Sequence, residues 1–201
     1  MRTTSPIRDR KKARKLALYY LRTRQLRNYT LIMVCLYTAL RIGDVLRISW
    51  DDVYDFELNA VRSFFHVYEK KTGKFKTIAI NDDLAAALLL YAKVAAMSGA
   101  PLIINPRTGN AISRVHAYRI IRAAGEAVGI EEPVSCHSLR KTFGYHAWKS
   151  GVDPVILVGI FNHSSLKVTM RYLGITQDDK NAVYRGISFL RDEHLNSPSL
   201  I

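Results

Sequence analysis

The sequence predicts an α+β fold that is mostly helical and contains one small antiparallel hairpin. Apolar residues recur at three- and four-residue spacing through most of the chain, which indicates amphipathic helices. One basic, glycine-containing turn is flanked by β-branched and aromatic runs, which indicates the hairpin. No repeat and no Pro/Gly/Ser-rich linker divides the 201 residues, so we expect a single domain over residues 1–201.

Three helices are predicted at the N-terminal end of the chain. Residues 1–27 are strongly basic, and a helix is expected there after Ser5-Pro6. Its apolar face consists of Ala13, Leu16, Ala17, Tyr20 and Leu21. A second helix is predicted from about residue 28 to 39, and a short third helix from about residue 41 to 48.

The hairpin is predicted in the middle of the chain, with VRSFFHVY and FKTIAI as strands and KKTGK as the turn. A helix over residues 82–97 follows, because Leu84, Leu88 and Tyr91 fall on one face. The segment Ser98-Gly99-Ala100-Pro101 ends this helix. A short strand is expected next, at LIIN over residues 102–105.

The remaining chain is predicted to be helical, over about 113–128, from Cys136 onward, and over 153–162, 165–173 and 178–190. One unbroken helix would place His163 and Tyr172 on opposite faces, since nine residues at about 100° each make two and a half turns. Ser164 and Ser165 lie between them, and serine is a favoured N-cap residue. We therefore expect one helix to end near His163 and another to begin at about Ser165, which allows the two side chains to converge.

Composition excludes several classes of protein. Hydrophobic residues make up 48% of the chain and the mean hydropathy is −0.04, which argues against both disorder and a membrane protein. The apolar run LIMVCLYTAL is too short to cross a bilayer. The two cysteines, Cys35 and Cys136, form no CxxC pair, so no zinc or other metal site is predicted. We expect a cytoplasmic protein.

The net charge predicts a polyanionic partner. The chain carries 30 Lys and Arg against 17 Asp and Glu, for a net charge of +13. Nucleic acid is the partner we favour. A solvated basic face is the alternative, and a membrane surface fits less well because the apolar face of the first helix is modest.

Two arginines each lie one helical turn from a second polar side chain. His137 and Arg140 are spaced i, i+3 at the start of a helix that Ser135 could cap, and a helix N-terminus with these side chains suits a phosphate. Arg41 and Asp44 have the same spacing, and a carboxylate can orient a guanidinium toward phosphate. Either pair could instead be structural, as a cap or as a surface ion pair worth under about 1 kcal/mol.

Lysines and a tyrosine complete the candidate set. Lys70, Lys71 and Lys74 cluster at the hairpin turn, which is either a solvated tip or one that enters a DNA groove. Tyr172 lies about 120° around its helix from Leu166, away from the apolar stripe. On spacing alone, Tyr172 is either a partly exposed packing residue or a functional one.

The chain from about residue 28 to residue 190 resembles the tyrosine recombinase (phage integrase) family, because these residue types follow one another in the family's order. The matching positions are Arg41 in ALRIGD, Lys71 in KKTGK, His137 and Arg140 in HSLR, and His163 in NHSSLKVTMRY with Tyr172 nine residues later. The HxLR and H-x8-Y spacings are characteristic of the family. The resemblance implies its catalytic-domain fold and site-specific recombination of DNA by integration, excision or inversion.

The resemblance also implies the roles of these residues. Tyr172 would be the nucleophile that forms a 3′-phosphotyrosine, and His137 its general base. Arg41 and Arg140 would hold the non-bridging phosphate oxygens, and His163 would add a hydrogen bond. Lys71 would protonate the leaving 5′ oxygen, although Lys70 and Lys74 are alternatives. No metal and no other cofactor is implied.

The chain departs from the family pattern in a few positions. TALR replaces the usual T-G-L-R before Arg41, and Phe161-Asn162-His163 replaces L-G-H. Lys141 stands where the family often has histidine after HxLR. None of these changes removes a catalytic group.

Double-stranded DNA is the partner that the resemblance implies, bound by four subunits that assemble as a tetramer on two sites, with accessory DNA-bending proteins as further candidates. Candidate DNA contacts are Lys74, Arg114, Arg119, Arg122 and Lys141. The C-terminal helix over 178–190 either folds onto its own domain or packs onto a neighbouring subunit. A phage or mobile element is a candidate origin.

Only about 27 residues precede the second helix, fewer than the family's core-binding domain needs. The sequence thus resembles either an excised catalytic domain or the short members that include the fimbrial phase-variation invertases. Two other functions stay open. The fold could serve a non-catalytic DNA-binding regulator, or the chemistry could be that of a type IB topoisomerase-like enzyme.

Overall fold

The computed structural model describes residues 4–188 and contains mostly helices, with two small antiparallel sheets. The helices are α1 (Arg10–Arg22), α2 (Leu26–Thr38), α3 (Ile42–Val45), α4 (Trp50–Val53), α5 (Asp82–Ala95), α6 (Arg114–Ala127), α7 (Cys136–Lys149), α8 (Pro154–Phe161), α9 (Leu166–Leu173) and α10 (Gln177–Gly186). The strands are β1 (Tyr54–Asp55), β2 (Ala60–Val61), β3 (Phe64–Tyr68) and β4 (Phe75–Ala79). The predicted α+β class is confirmed.

The basic N-terminal segment packs onto the domain. Its helix begins at Arg10, where the Asp9 carboxylate accepts a hydrogen bond from the Lys11 backbone N–H at 2.7 Å. Leu16 and Tyr20 are buried, and the Tyr20 hydroxyl donates to the Ile120 carbonyl at 2.9 Å. Helix α1 therefore contacts both α2 and α6, while its basic residues remain toward solvent.

The predicted hairpin is confirmed as β3 and β4, which pair from Phe64↔Ala79 to Tyr68↔Phe75. Burial alternates along β3, with Phe65 and Val67 inward. The first predicted strand is divided, however. Val61 belongs to β2 and pairs with Tyr54 of β1, a small sheet that the sequence pattern did not predict.

The strand predicted at LIIN is wrong. Leu102 and Ile103 form a turn between two single bridges, Ser49↔Pro101 and Ile104↔Ala111. The Leu102 N–H donates to the Ile48 carbonyl at 2.9 Å and the Trp50 N–H to the Ala100 carbonyl at 3.0 Å, but this pairing stops after one bridge because the chain turns at Leu102 and Ile103. Leu102 and Ile103 are buried and Ile104 is half-buried, although the segment forms no sheet strand.

The third helix is shorter than predicted. It ends at Val45 rather than near residue 48, because the Arg47 and Ile48 N–H groups bond three residues back, to the carbonyls of Asp44 and Val45. Helix α10 ends at Gly186, with Ile187 as its C-cap. The last two residues of the helix predicted over 178–190 lie outside the described residues.

The predicted break between His163 and Tyr172 is confirmed. Helix α8 ends at Phe161, and Asn162 follows as a C-cap in the left-handed region, with φ of 51°. Helix α9 begins at Leu166, and the Ser165 side chain accepts a hydrogen bond from the Val168 backbone N–H. The two side chains are therefore carried by different structural elements.

The core has a large and a small part. The large cluster joins α1, α2, α5, α6 and the β3–β4 hairpin. The small cluster consists of Ala39, Leu157, Phe161 and Leu173, and Tyr172 packs against it. Within residues 4–188 no helix is long and apolar enough to cross a bilayer.

Candidate active site

The N-terminus of α7 positions two of the predicted residues. Ser135 and Ser138 form a capping box there, which fixes the first turn that carries His137 and Arg140. The Arg140 side chain is 2% exposed and donates to the Ala39 carbonyl, and to the Phe161 carbonyl at 2.7 Å. These bonds hold Arg140 inside the domain, with its guanidinium beside Ala39 and Phe161 of the small cluster.

The Arg41 side chain reaches the Phe161 carbonyl from the start of α3. Ala39 ends α2 in the left-handed region, with φ of 53°, and this sharp turn brings Arg41 to the N-cap of α3. The Arg41 guanidinium donates to the Glu69 carboxylate at 2.9 Å and to the Phe161 carbonyl at 3.5 Å. Both arginines thus share an acceptor at the C-terminus of α8, where helix carbonyls lack partners and favour cations.

Tyr172 lies between the two predicted histidines. Its ring centroid is 5.0 Å from that of His137 and 4.8 Å from that of His163, both in edge-to-face geometry. The Tyr172 hydroxyl lies 3.5 Å from His137 Nδ1. Arg140 Cζ is 6.0 Å from the centre of the tyrosine ring, so Arg41, His137, Arg140, His163 and Tyr172 converge.

Burial and neighbouring cations set the protonation of the site. Burial raises the pKa of the Tyr172 hydroxyl, although Arg140 and Arg41 act in the opposite direction. Burial lowers the pKa of His137, and Lys141, Arg140 and Arg41 lower it further. At neutral pH the phenol is therefore protonated, and the imidazole beside it is neutral and able to accept a proton.

His163 is oriented by α9. Its Nδ1 lies 2.9 Å from the Thr169 hydroxyl, and its ring stacks on that of Phe161 at 5.1 Å. Burial, followed by the charges of Arg140 and Arg41, lowers the pKa of His163 to about 4. A neutral His163 can donate a hydrogen bond through Nε2 if Nδ1 accepts from Thr169.

The predicted lysine is not among the groups that the structure brings together. Lys71 is exposed in the turn between β3 and β4, as are Lys70 and Lys74. A lysine that the sequence pattern did not single out, Lys76 of β4, enters the site: its ammonium lies 2.9 Å from the Glu69 carboxylate and donates to the Ile160 carbonyl. Burial lowers the pKa of Lys76, against the effect of Glu69.

Asp44 has a different partner from the predicted one. Its carboxylate accepts from the Lys70 backbone N–H at 2.9 Å and lies 3.9 Å from Arg47. The carboxylate that pairs with Arg41 is Glu69. Asp44 thus contacts the lysine-bearing turn, which joins β3 to β4 and carries Lys70, Lys71 and Lys74.

Four of the five candidate DNA contacts are exposed, and they are Lys74, Arg114, Arg119 and Arg122. Arg122 also pairs with Glu126 at 2.7 Å on the same helix. Lys141 is buried, because its ammonium donates to the Thr4 carbonyl at 2.6 Å and lies 5.1 Å from the centre of the Tyr172 ring. Lys141 therefore packs against the Tyr172 ring and does not face solvent.

Sequence reasoning did not predict Glu69 and Lys76 as site residues, although the two-residue alternation along the strands indicates an inward position for both. Phe65 and Val67 point inward on β3, so Glu69 occupies the next inward position. Lys76 is the cross-strand partner of Val67 and points the same way. A carboxylate and an ammonium at adjoining inward positions indicate a buried ion pair.

Comparison with known proteins identifies the family. The sequence profile of the phage integrase family matches residues 10–178. The chain belongs to the phage integrase family. Its enzymes are tyrosine recombinases, and this chain is one of them by family and by fold.

Curated relatives of this tyrosine recombinase differ in length. It is 37% identical over 185 residues to "Probable integrase/recombinase YoeC" of Bacillus subtilis, and the match covers 92% of this chain and 97% of the relative. It is 30% identical over 159 residues to "Tyrosine recombinase XerA" of Pyrococcus furiosus, with 77% of this chain covered but only 53% of the relative. It is 29% identical over 150 residues to the fimbrial regulatory protein FimE of Escherichia coli, with 73% of each covered. The chain thus spans nearly all of one relative and about half of another.

Solved structures share the fold of this tyrosine recombinase. The crystal structure of XerA recombinase superposes with a TM-score of 0.74 at 22% identity, over 92% of this chain and 66% of that one. XerH site-specific recombinase bound to its palindromic difH substrate gives 0.68 at 16% identity, over 91% and 53%.

Proposed function

We propose that this tyrosine recombinase cleaves and rejoins DNA at specific sites through a 3′-phosphotyrosine at Tyr172. One observation carries the proposal: the Tyr172 hydroxyl lies 3.5 Å from His137 Nδ1, beside two guanidinium groups that share one carbonyl acceptor. A nucleophile, a base and two oxyanion donors at one point are what phosphoryl transfer requires.

The arginines stabilise the phosphoryl group. When DNA binds, non-bridging phosphate oxygens replace the Phe161 carbonyl as acceptor for Arg41 and Arg140. The exchange is favourable because a charged oxygen accepts a stronger hydrogen bond than a neutral carbonyl. His163 donates to the same phosphate while Thr169 holds its ring, and together the three groups offset the charge that develops in the transition state.

Two proton transfers accompany the reaction, one at the attacking oxygen and one at the leaving oxygen. The Tyr172 oxygen forms a bond to phosphorus as His137 takes the phenolic proton, and the bond to the 5′ oxygen breaks. Lys71 delivers the proton that the 5′ oxygen needs, from an exposed turn against which the DNA would lie. Attack of a 5′ hydroxyl on the phosphotyrosine reverses these steps and rejoins the strand.

Double-stranded DNA is the substrate, and four subunits assemble on two sites to exchange strands. Contacts to the phosphate backbone come from Lys74, Arg114, Arg119 and Arg122, which lie on exposed surfaces. The printed title of the XerH structure, a site-specific recombinase on its DNA substrate, supports the choice of duplex DNA. Accessory DNA-bending proteins fit the same assembly.

A covalent-capture experiment tests the proposal without knowledge of the target site. A library of nicked duplexes with randomised sequence is incubated with the protein, so that cleavage releases a short fragment and traps the phosphotyrosine. Protein-linked DNA is then isolated in detergent and sequenced. We expect capture of a defined sequence by the wild type and by Tyr184→Phe, a change at an exposed tyrosine of α10. Tyr172→Phe should capture none while still binding the duplex. The proposal is refuted if the wild type captures no DNA or if Tyr172→Phe captures it.

A further inference from the structure

One buried carboxylate at the site has no part in the chemistry proposed above. Glu69 follows β3 directly, and its side chain is 0% exposed although it is charged. A carboxylate is rarely removed from water unless several donors satisfy it. Its partners therefore indicate what it does.

The Glu69 carboxylate joins four segments of the chain. Oε2 accepts from Arg41 at 2.9 Å, from the Asn162 amide at 2.7 Å and from the Thr72 hydroxyl at 2.8 Å. Oε1 lies 2.9 Å from the Lys76 ammonium. Burial opposes ionisation of Glu69, but the hydrogen bonds from Lys76, Asn162 and Thr72 outweigh it and lower the pKa to about 2. The group is thus an anion at neutral pH.

The Glu69 backbone also closes the lysine-bearing turn. Its N–H donates to the Lys74 carbonyl at 3.0 Å, and its carbonyl accepts from the Gly73 N–H at 2.8 Å. Asp44 of α3 holds the same turn by accepting from the Lys70 N–H at 2.9 Å. Two carboxylates therefore connect this turn to α3, whose N-cap is Arg41.

A purely structural ion pair does not explain this arrangement well. Buried ion pairs seldom stabilise a fold more than apolar residues of similar size would. Here the partners include Arg41, which holds the phosphate, and Asn162, which adjoins His163. Oε2 accepts from three donors and Oε1 is paired by charge with the Lys76 ammonium, so Glu69 orients cations around the phosphate while its own charge stays buried among them.

We propose that Glu69 is a positioning residue, which fixes the Arg41 guanidinium and the turn over residues 69–74 relative to the scissile phosphate. The inference rests on the proposed function, because the phosphate is the group that Arg41 is positioned to meet. It distinguishes Glu69 from the residues that touch the reacting atoms. Its loss should slow cleavage while leaving DNA affinity intact.

The test separates the rate of cleavage from the binding of DNA. Glu69→Gln is nearly isosteric but removes the charge, and single-turnover formation of the covalent adduct is measured on the captured duplex, together with the Kd for that duplex. We expect the rate to fall roughly 10- to 100-fold, since small misplacement of a catalytic group costs that much. The Kd should stay the same or tighten, because the variant has one more net positive charge.

Asp52→Asn is the matched control. The Asp52 carboxylate accepts from the Ser49 N–H at 2.7 Å and from the Ser49 hydroxyl at 2.8 Å, so its hydrogen-bond partner is Ser49 of the α4 capping box and not Arg41 or Lys76. This variant should lose stability and keep its cleavage rate. A Glu69→Gln rate within about twofold of the wild type, or a rate and an affinity that fall in proportion, would overturn the proposal.

A second readout keeps the inference distinct from the proposed function. Amide hydrogen exchange at Lys70 and Gly73 should accelerate in Glu69→Gln relative to exchange in α2, and this measurement needs no cleavage. If the wild type forms no adduct, the proposed function fails, and unchanged protection of these amides then overturns the positioning role as well. Should Glu69→Gln not fold, Thr72→Val removes one donor from an exposed turn residue. It should show the same two effects, with a rate lowered by a few-fold.

Discussion

At the scale of single residues, burial keeps Tyr172, the nucleophile that we propose, protonated and His137, its proposed base, neutral. Burial raises the pKa of Tyr172 and lowers that of His137, and the hydroxyl faces the imidazole nitrogen. A phenol is a weak nucleophile, so we expect removal of its proton by His137 during attack to raise the rate about 10²- to 10⁴-fold. The same burial therefore disfavours ionisation of the Tyr172 hydroxyl and keeps His137 able to accept a proton.

The lowered pKa of His137 predicts where the rate of cleavage falls in acid. His137 accepts a proton only while it is neutral, so the single-turnover rate should fall as pH drops through a midpoint below about 6.5, its ordinary value. His137→Gln should remove this acid limb and lower the rate at neutral pH. The measurement is adduct formation between about pH 5 and 8, and an acid limb centred above about pH 6.5 would contradict the assignment.

His163 predicts a dependence of stability on pH. Its pKa of about 4 in the folded state lies below the ordinary value near 6.5, so between these values the unfolded chain binds more protons. The free energy of unfolding should therefore decrease as pH falls from about 6.5 toward 4. His163→Gln should lose less stability between about pH 7 and pH 5 than the wild type, as measured by urea unfolding.

The residual slope in that variant belongs to His137 and His146, whose pKa values are also lowered by burial. His66→Gln, on the exposed face of the hairpin, is the control and should follow the wild-type curve. Equal slopes for His163→Gln and wild type would show that His163 is not buried as described.

At the scale of elements, the position of Tyr172 depends on three helices that meet at one glycine. Helices α8 and α9 have eight residues each, too few to be stable alone, so packing on α7 determines their position. A Cβ at Gly144 of α7 would lie 2.8 Å from Phe161 Cε2 and 2.9 Å from Leu173 Cδ2. The missing side chain is what permits this close approach.

Gly144→Ala should therefore displace Phe161, the residue whose carbonyl accepts from both arginines. We expect overpacking to cost roughly 1–3 kcal/mol in the free energy of unfolding, and adduct formation to slow. Gly159→Ala is the matched control in α8, because nothing lies within 4 Å of the added Cβ. It should be neutral or add about 0.5–1 kcal/mol through helix propensity. Chemical unfolding of both variants measures the difference, and a Gly144→Ala protein as stable as Gly159→Ala would refute the packing argument.

At the scale of the whole molecule, a net charge of +13 favours binding to any DNA, whatever its sequence. The basic residues of α1 and the exposed arginines of α6 contribute to this field, since the apolar residues of both helices face the core. Affinity of this kind should weaken steeply with added salt, because phosphate contacts release counterions.

Arg119→Gln tests one such contact. We expect it to weaken binding about equally on all sequences and to reduce the slope of log K against log salt by about one. Lys93→Gln, at an exposed lysine of α5, removes the same charge and should leave the slope nearly unchanged. Equal reductions in both variants would show that total charge, and not a contact by α6, sets the affinity.

Much of the fold followed from local patterns. Ser165 is a favourable N-cap between two apolar stripes, so the break before α9 was predictable, and the β3–β4 hairpin follows from its alternation and basic turn. The strand predicted at LIIN failed because the chain turns at Leu102 and Ile103, so its backbone pairs only in two single bridges while these two side chains are buried in the core. The pairing of Arg41 with Glu69 also escaped prediction, because the two residues are 28 positions apart.

The sequence by itself determined the class of the fold, the positive charge and the ordered set of Arg41, His137, Arg140, His163 and Tyr172, because periodicity, caps and motif spacing are local properties. Only the tertiary structure decided which side chains meet. It brought Glu69 and Lys76 into the site, placed Lys141 behind the tyrosine and left Lys71 in an exposed turn. The physical reason is that a buried charge takes partners from whichever segments packing brings near, and those segments are distant in sequence.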